Sequence, residues 1–325
     1  MPRPIQSLCV AIGDPMPRVT LPTAGGALFD SWDPTTAGMA RVYWPGSSAI
    51  PPGLGQALAA CDTLLHVVDS RPADDPSWLV DRGHELERAF AATAPLAIVV
   101  DTAGRVAALV PSPTAQAITN VATAFYRAST AAIVQAKAPV LMLERVAEPA
   151  LCRALIDYWQ RSDKRMNEVG SSAGNVVNDD VKRRQDVQVD EPDLLTALRD
   201  GIVRRIVPAM QQAFHARIAV IEAPLVGCYD ATGGGWFRRH RDNTSRANAH
   251  RQFALSLNLN AGDEYEGGAV RFPEYGRELY RPDAGSALVF SCSLLHEAEP
   301  VIRGRRFGVF SFLSATGPLP PQARR

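Results

Sequence analysis

From residue 216 onward the sequence breaks into short β-prone runs at 218–221, 225–229, 253–259, 269–272, 286–290 and 307–313. Between them stand Gly233-Gly234-Gly235, Ala261-Gly262-Asp263, Gly267-Gly268, Pro273, Pro282-Asp283-Ala284-Gly285 and Gly304. A helix needs about ten or more residues of unbroken 3.6-residue periodicity, whereas a strand needs roughly four to eight, and turns this frequent leave room only for strands. The pattern predicts an all-β sandwich or jelly roll. Two amphipathic stretches, 149–160 and 194–214, read as helices flanking it, the second interrupted near Pro208.

At 325 residues the chain exceeds one small core, and a prior of about 150 residues per domain predicts two domains. Within residues 1–115, after a short strand at 19–21, apolar strands (39–44, 63–68, 96–100, 105–110) alternate with helical stretches at 54–61 and 76–90, a βαβαββ order that predicts an α/β unit. Its last two strands form a hairpin closed by Asp101-Thr102-Ala103-Gly104. An Ala-rich helical connection over 116–137 ends at Ala138-Pro139, because a residue before Pro is pushed out of helical angles. The second domain takes residues 138–325, starting with a strand at 140–143. Within it, 161–190 lose periodicity and read as an irregular lid or linker. The cluster Lys182-Arg183-Arg184-Gln185-Asp186 at its end reads as a solvated face, with substrate contact as the alternative.

Charge excludes some functions. With 34 Lys+Arg against 34 Asp+Glu, the chain lacks the broad attraction that nucleic-acid binding needs. No apolar stretch reaches about 18 residues, and the N-terminus lacks the pattern of an export signal, so no membrane partner and a cytoplasmic location are expected. Five cysteines, an odd number mostly inside apolar runs, read as reduced core thiols rather than a disulfide frame.

The chemistry concentrates at His240-Arg241-Asp242. On a strand, residues i and i+2 face the same way, so His240 and Asp242 can share one face while Arg241 leaves it. A second histidine, His296, completes a 2-His-1-carboxylate set, the ligand pattern of non-haem Fe(II) oxygenases. Both rings must be neutral to bind a metal, and the acceptors that orient their second nitrogens are not legible in sequence. Arg306 returns one strand later, where a planar guanidinium suits bidentate pairing with a carboxylate. His66, His84, His215 and His250 read as packing or surface residues. Arg246 and Arg251 follow the metal motif on a loop and read equally as contacts to an anionic substrate or as solvated side chains.

Residues 225–243, with Gly267-Gly268-Ala269-Val270-Arg271-Phe272-Pro273 and the 296–306 segment, resemble the prolyl-hydroxylase branch of Fe(II)/2-oxoglutarate oxygenases, including the hypoxia-sensing prolyl hydroxylases. The resemblance spans roughly residues 138–315. It implies a double-stranded β-helix in which His240, Asp242 and His296 hold Fe(II) and Arg306 holds the distal carboxylate of 2-oxoglutarate. Arg305 is the alternative, since this spacing varies by a residue in the family. Tyr229 matches a position whose hydroxyl contacts the cosubstrate, and Asn258 falls where some relatives carry a second cosubstrate tyrosine. The resemblance further implies O2 as cosubstrate, ascorbate as a reductant, and hydroxylation of an unactivated C–H in an amino-acid-like small molecule, a peptide or a protein. Having Asp242 rather than Ala or Gly argues for hydroxylation over halogenation.

The first domain resembles the thioredoxin fold. Gly13-Asp14-Pro15-Met16-Pro17, Arg41-Val42-Tyr43-Trp44-Pro45 and Val100-Asp101-Thr102-Ala103-Gly104-Arg105 are similar to peroxiredoxins, and Pro95 stands where such folds often hold a cis-proline. Peroxidase chemistry needs a low-pKa thiolate after the first long strand. Here that place holds Ser47 and Ser48, and Cys61 reads as a buried structural thiol. This domain reads as a silent scaffold or docking module without peroxidase activity. The rival reading makes the chain a thioredoxin-like redox or binding protein with a non-catalytic jelly roll.

Overall fold

The computed structural model describes residues 9–36, 38–125, 137–166, 168–171, 174–177 and 181–315. The chain divides near residue 131 into two units, each with its own core. The first runs β1 (Thr20–Pro22), β2 (Leu28–Asp30), β3 (Ala40–Pro45), α1 (Leu54–Ala59), β4 (Thr63–Asp69), β5 (Leu79–Val80), α2 (Glu85–Ala89), β6 (Leu96–Val100), β7 (Val106–Pro111) and α3 (Ala115–Phe125). Its main sheet has the order β5-β4-β3-β6-β7, parallel from β5 to β3 and antiparallel from β3 to β7. Strand β3 is buried on both faces because alternate side chains enter different cores. Tyr43 joins Met16, Leu21, Leu86 and Ile98, while Val42 and Trp44 join Leu54, Leu58, Val99 and Ile118.

Two expectations change here. The stretch 76–90 is not one helix: Leu79 and Val80 are buried as an edge strand, and α2 starts only where Asp81 accepts the Glu85 and Leu86 amides. Helix α3 sets Ile118 and Ala122 into the first core, so its residues do more than connect. The peptide bond before Pro95 is trans.

The second unit runs β8 (Val140–Leu143), α4 (Pro149–Arg161), β9 (Arg165–Met166), β10 (Glu168–Ser171), β11 (Gly174–Val177), β12 (Lys182–Arg183), β13 (Gln185–Gln188), α5 (Pro192–Gly201), α6 (Val207–Phe214), β14 (Val220–Ile221), β15 (Leu225–Asp230), β16 (Trp236–His240), β17 (Phe253–Asn258), β18 (Tyr265–Gly267), β19 (Val270–Arg271), β20 (Leu279–Tyr280), β21 (Ala287–Ser291), β22 (His296–Ala298) and β23 (Val301–Ser314). A π-helical turn, Ile202–Ile206, joins α5 to α6 and absorbs the amide that Pro208 cannot donate.

Two antiparallel sheets result, a major one ordered β8-β21-β17-β23-β15-β13-β9 and a minor one ordered β12-β16-β22-β19-β20, an arrangement consistent with a double-stranded β-helix. Strand alternation assigns the faces of the major sheet. Leu255, Leu257, Phe307, Val309 and Leu313 point outward against Leu155, Trp159, Ile202, Ile206 and Met210 of the helices. Ala254, Ser256, Arg306, Phe310 and Phe312 line a cavity on the opposite face.

The segment 161–190 is less irregular than its composition predicts. Among its described residues, β10 and β11 form a hairpin, β12 adds to the minor sheet beside β16, and β13 joins the major sheet beside β15. Residues 167, 172–173 and 178–180 of that segment lie outside the described residues. The charge cluster is not a solvated face, because Lys182, Arg184 and Asp186 are all buried. Their i, i+2, i+4 spacing aims all three inward, where Asp186 pairs with both Lys182 and Arg184. No helix among the described residues is long and apolar enough to cross a membrane.

Candidate metal centre

His240 ends β16 and His296 begins β22, and the two are direct partners across that antiparallel pair. Asp242 lies just past the strand end, fixed by its amide donating to the Cys292 carbonyl at 2.9 Å. Its carboxylate reaches both rings: Oδ1 is 3.3 Å from His240 Nε2 and Oδ2 is 3.4 Å from His296 Nε2. The three ligand atoms lie within 4.8 Å of one another. Arg241 turns away to Glu274 and the Ser293 carbonyl, as strand alternation requires.

The structure supplies the orienting acceptors that sequence could not name. His240 Nδ1 faces the Arg238 carbonyl at 2.6 Å, and His296 Nδ1 faces the Leu294 carbonyl at 3.0 Å. A carbonyl oxygen only accepts, so each neutral ring carries its proton on Nδ1 and leaves Nε2 as a bare lone pair. Burial holds the His296 pKa below the ordinary histidine value, despite the opposing pull of Asp242, which favours that neutral form. Two Nε2 atoms and a carboxylate thus converge, a donor set that a divalent cation satisfies when both rings are neutral. The two carboxylate–imidazole separations, 3.3 and 3.4 Å, lie near the octahedral edge of about 3 Å that bonds of about 2.1 Å give. Phe237 stacks on the His240 ring at 3.7 Å between centroids and limits its rotation.

The triad lies on the wall of a cavity of about 510 Å³. At another part of that wall sits Arg306, 2% exposed. Its Nη1 donates to the Gly268 carbonyl at 2.7 Å and its Nη2 to Ser256 Oγ at 3.2 Å, while its buried Nε has no partner. Among the described residues no carboxylate pairs with it, so a buried cation awaits an anion. The Gly267-Gly268 pair permits this arrangement: at Gly268, φ is +66° and an added Cβ would stand 3.0 Å from Arg306 Cδ. Arg305, one residue earlier, points outward to Asp230 Oδ2 at 2.7 Å.

Tyr229 is registered opposite Arg306, is buried, and lines the cavity. Its hydroxyl accepts from Arg184 Nη1 at 3.3 Å. Asn258 does not line the cavity. Its amide nitrogen donates to the Asn260 and Pro282 carbonyls and its oxygen accepts from Tyr265, so the side chain staples turns. The expected cosubstrate contact at Asn258 therefore gains no support from its position.

Sequence reasoning missed three wall residues. The sequence pattern places Arg184 on a solvated face and His250 at the surface or in packing, and gives no signal at Glu222. Glu222 accepts from Arg251 Nε and Nη2 at 2.8 and 2.7 Å and faces His250 Nε2 at 3.0 Å, and all three line the cavity. Arg251 also lies 3.7 Å over the Phe312 ring. Arg246 and His215 are exposed, as are both partners of the His84–Glu87 pair, while His66 stacks on Tyr43 inside the first unit. Cys152, Cys228 and Cys292 are buried, but Cys61 is half-buried and Cys9 exposed, so not every thiol belongs to a core.

Comparison with known proteins falls on the part of the chain that carries this geometry. Residues 225–314 match the family model of the 2OG-Fe(II) oxygenase superfamily. A PKHD-type hydroxylase of Synechococcus sp. (strain JA-2-3B'a(2-13)) is 30% identical over 105 residues, 31% of this chain and 46% of the relative. One from Methylobacterium nodulans is 28% identical over 174 residues, 50% of this chain and 71% of the relative. The chain thus spans about half the length of the Synechococcus relative. A solved Trichoplax adhaerens prolyl hydroxylase, in complex with a hypoxia inducible factor oxygen degradation domain peptide fragment, aligns at a TM-score of 0.46 and 15% identity over 54% of this chain and 83% of its own.

Proposed function

We propose that the second unit is an Fe(II)- and 2-oxoglutarate-dependent dioxygenase of the prolyl-hydroxylase-like branch, hydroxylating an unactivated C–H of a peptidyl or amino-acid-like substrate. One observation carries this reading: the converging triad of His240, Asp242 and His296 shares a cavity with a buried Arg306 that no carboxylate pairs with among the described residues. The sequence match over residues 225–314 and the hydroxylase names of its relatives support it.

In this reading His240, Asp242 and His296 hold the metal, and Arg306, with Tyr229 beside it, holds the distal carboxylate of 2-oxoglutarate. Metal and cosubstrate together supply the O2-dependent oxidation, with 2-oxoglutarate leaving as succinate and CO2. The protein binds, orients and keeps water out. The Arg238 and Leu294 carbonyls keep the ring protons on Nδ1, so the ligand nitrogens stay available. Arg306 supplies charge and two-pronged geometry where its Nε lacks a partner. Phe237, Ala254, Val270, Phe290, Phe310 and Phe312 form the apolar wall that excludes water around the reacting centre.

The thioredoxin-like reading of the first unit is supported by its parallel βαβ half and the antiparallel hairpin that follows. With serines at 47 and 48 it serves as a scaffold or docking module rather than a peroxidase. Screening peptides, proteins and amino acids for stimulated succinate release tests the proposal, with Asp242→Ala as control. Stimulated release that survives in Asp242→Ala would sink the metal assignment.

A further inference from the structure

We propose that Arg184 is a positioning residue for the cosubstrate: by donating to the Tyr229 hydroxyl, it turns that hydroxyl's own proton towards the carboxylate that Arg306 binds. The inference rests on the 2-oxoglutarate reading above and adds a residue from the charge cluster whose composition reads as a solvated face.

A tyrosine hydroxyl has one proton and accepts through its lone pairs, whereas a guanidinium only donates. The 3.3 Å contact is therefore Arg184 Nη1–H to Tyr229 Oη, and the hydroxyl proton must point elsewhere. Among the described residues Arg184 is the hydroxyl's one hydrogen-bond partner, so none of them accepts that proton. Tyr229 lines the cavity between two cations. The Arg184 guanidinium carbon is 5.5 Å from its ring centroid, and that of Arg306, its cross-strand partner, is 5.6 Å away. A group placed there that accepts from a hydroxyl and from a guanidinium at once is a carboxylate.

Arg184 is built to hold still. Its Nε donates to Asp186 Oδ1 at 2.6 Å and its Nη2 to Oδ2 at 3.1 Å, and its guanidinium lies 4.0 Å over the Phe310 ring. Asp186 also pairs with Lys182, 2.5 Å away. The backbone below makes room for this. An added Cβ at Gly227, two residues before Tyr229 on β15, would stand 2.7 Å from Asp186 Oδ1 and 2.8 Å from Arg184 Nε. Only glycine lets the pair lie across that strand. A lysine at 184 cannot make the two-pronged pair and reach the hydroxyl together.

The test measures binding rather than turnover. The Mn(II)-loaded full chain is titrated with 2-oxoglutarate and with 2-oxobutyrate, which keeps the 2-oxoacid group but lacks the distal carboxylate. Arg184→Gln and Tyr229→Phe should each weaken 2-oxoglutarate binding about tenfold, and the double variant should be no weaker than either alone. Mn(II) affinity and 2-oxobutyrate binding should stay at wild-type values, which a merely structural role would not preserve. Should Arg184→Gln not fold, Arg184→Lys, which keeps Asp186 paired with a cation, makes the same test. Wild-type 2-oxoglutarate affinity in the Arg184 variant, equal weakening of both ligands, or multiplying effects in the double variant would overturn the inference alone. A wild-type chain that binds Mn(II) but neither oxoacid overturns the 2-oxoglutarate reading and the inference with it.

Discussion

Both units bury charged side chains, but they use them differently. In the first, Asp14, Asp81 and Asp101 accept from backbone amides of their own turns and helix start, and Arg41 and Arg105 donate to the Ser31 and Gly13 carbonyls. In the second, Arg184, His240, Asp242, His296 and Arg306 converge on one cavity of about 510 Å³, against about 100 Å³ for a pocket of the first unit. Buried polarity that closes on the backbone holds a fold together. Buried polarity that converges on one cavity from several strands marks a site.

The strongest way to break this contrast is Asp242→Ala, expected to abolish substrate-dependent succinate release and metal binding together. Loss of one without the other would separate the triad from the reaction. Next is the pair of neighbouring arginines. Arg306→Leu should raise the KM for 2-oxoglutarate by about 100-fold, as removal of a buried charge partner costs about 3 kcal/mol. Arg305→Leu, whose ion pair is exposed, should change it by less than about twofold. Equal effects would mean that strand alternation does not separate their roles.

A smaller effect sharpens the contrast from the other side. Leu58→Ala, fully buried in the first unit, should cost about 2–4 kcal/mol in urea unfolding of that unit while succinate release per folded molecule stays unchanged. A matching loss of turnover would make the first unit part of the reaction. His66 offers a pH signature of the same unit. Burial lowers its pKa to about 4, and its buried Nε2 has no partner. A histidine depressed on folding stabilises above its unfolded pKa of about 6.5, and that contribution is lost as pH falls towards 4. Between pH 7 and 5 the loss should be about 1–2 kcal/mol in urea unfolding, and His66→Phe should flatten it. The smallest expected signal is peroxide consumption: none above buffer with a thiol reductant, and no change in Cys61→Ser.

Much of this was legible in the chain. His240 and Asp242 sit two apart, and strand geometry alone makes such a pair cofacial. The hairpin at 101–104, strand β3 and the outer helices follow from turn chemistry and periodicity. What misled was composition read without period. Lys182, Arg184 and Asp186 alternate with Arg183 and Gln185, and that alternation was a strand signal hidden by charge. Asn258 falls at a family position by resemblance alone, and its amide is consumed by two carbonyls that no local pattern reveals. Glu222 and His250, 28 residues apart, gave no local signal at all.

By itself, then, the sequence determined the ligand types, the strand-rich class of the second unit and the absence of any cysteine between Trp44 and Ala60 in the first, because these depend on residue chemistry and on periods of two or 3.6. Only the tertiary structure decided that Arg306 rather than Arg305 faces the cavity, that backbone carbonyls hold the ring protons on Nδ1, and that Arg184 reaches Tyr229. Each of those depends on which strand lies beside which, and on what a buried group finds across the gap.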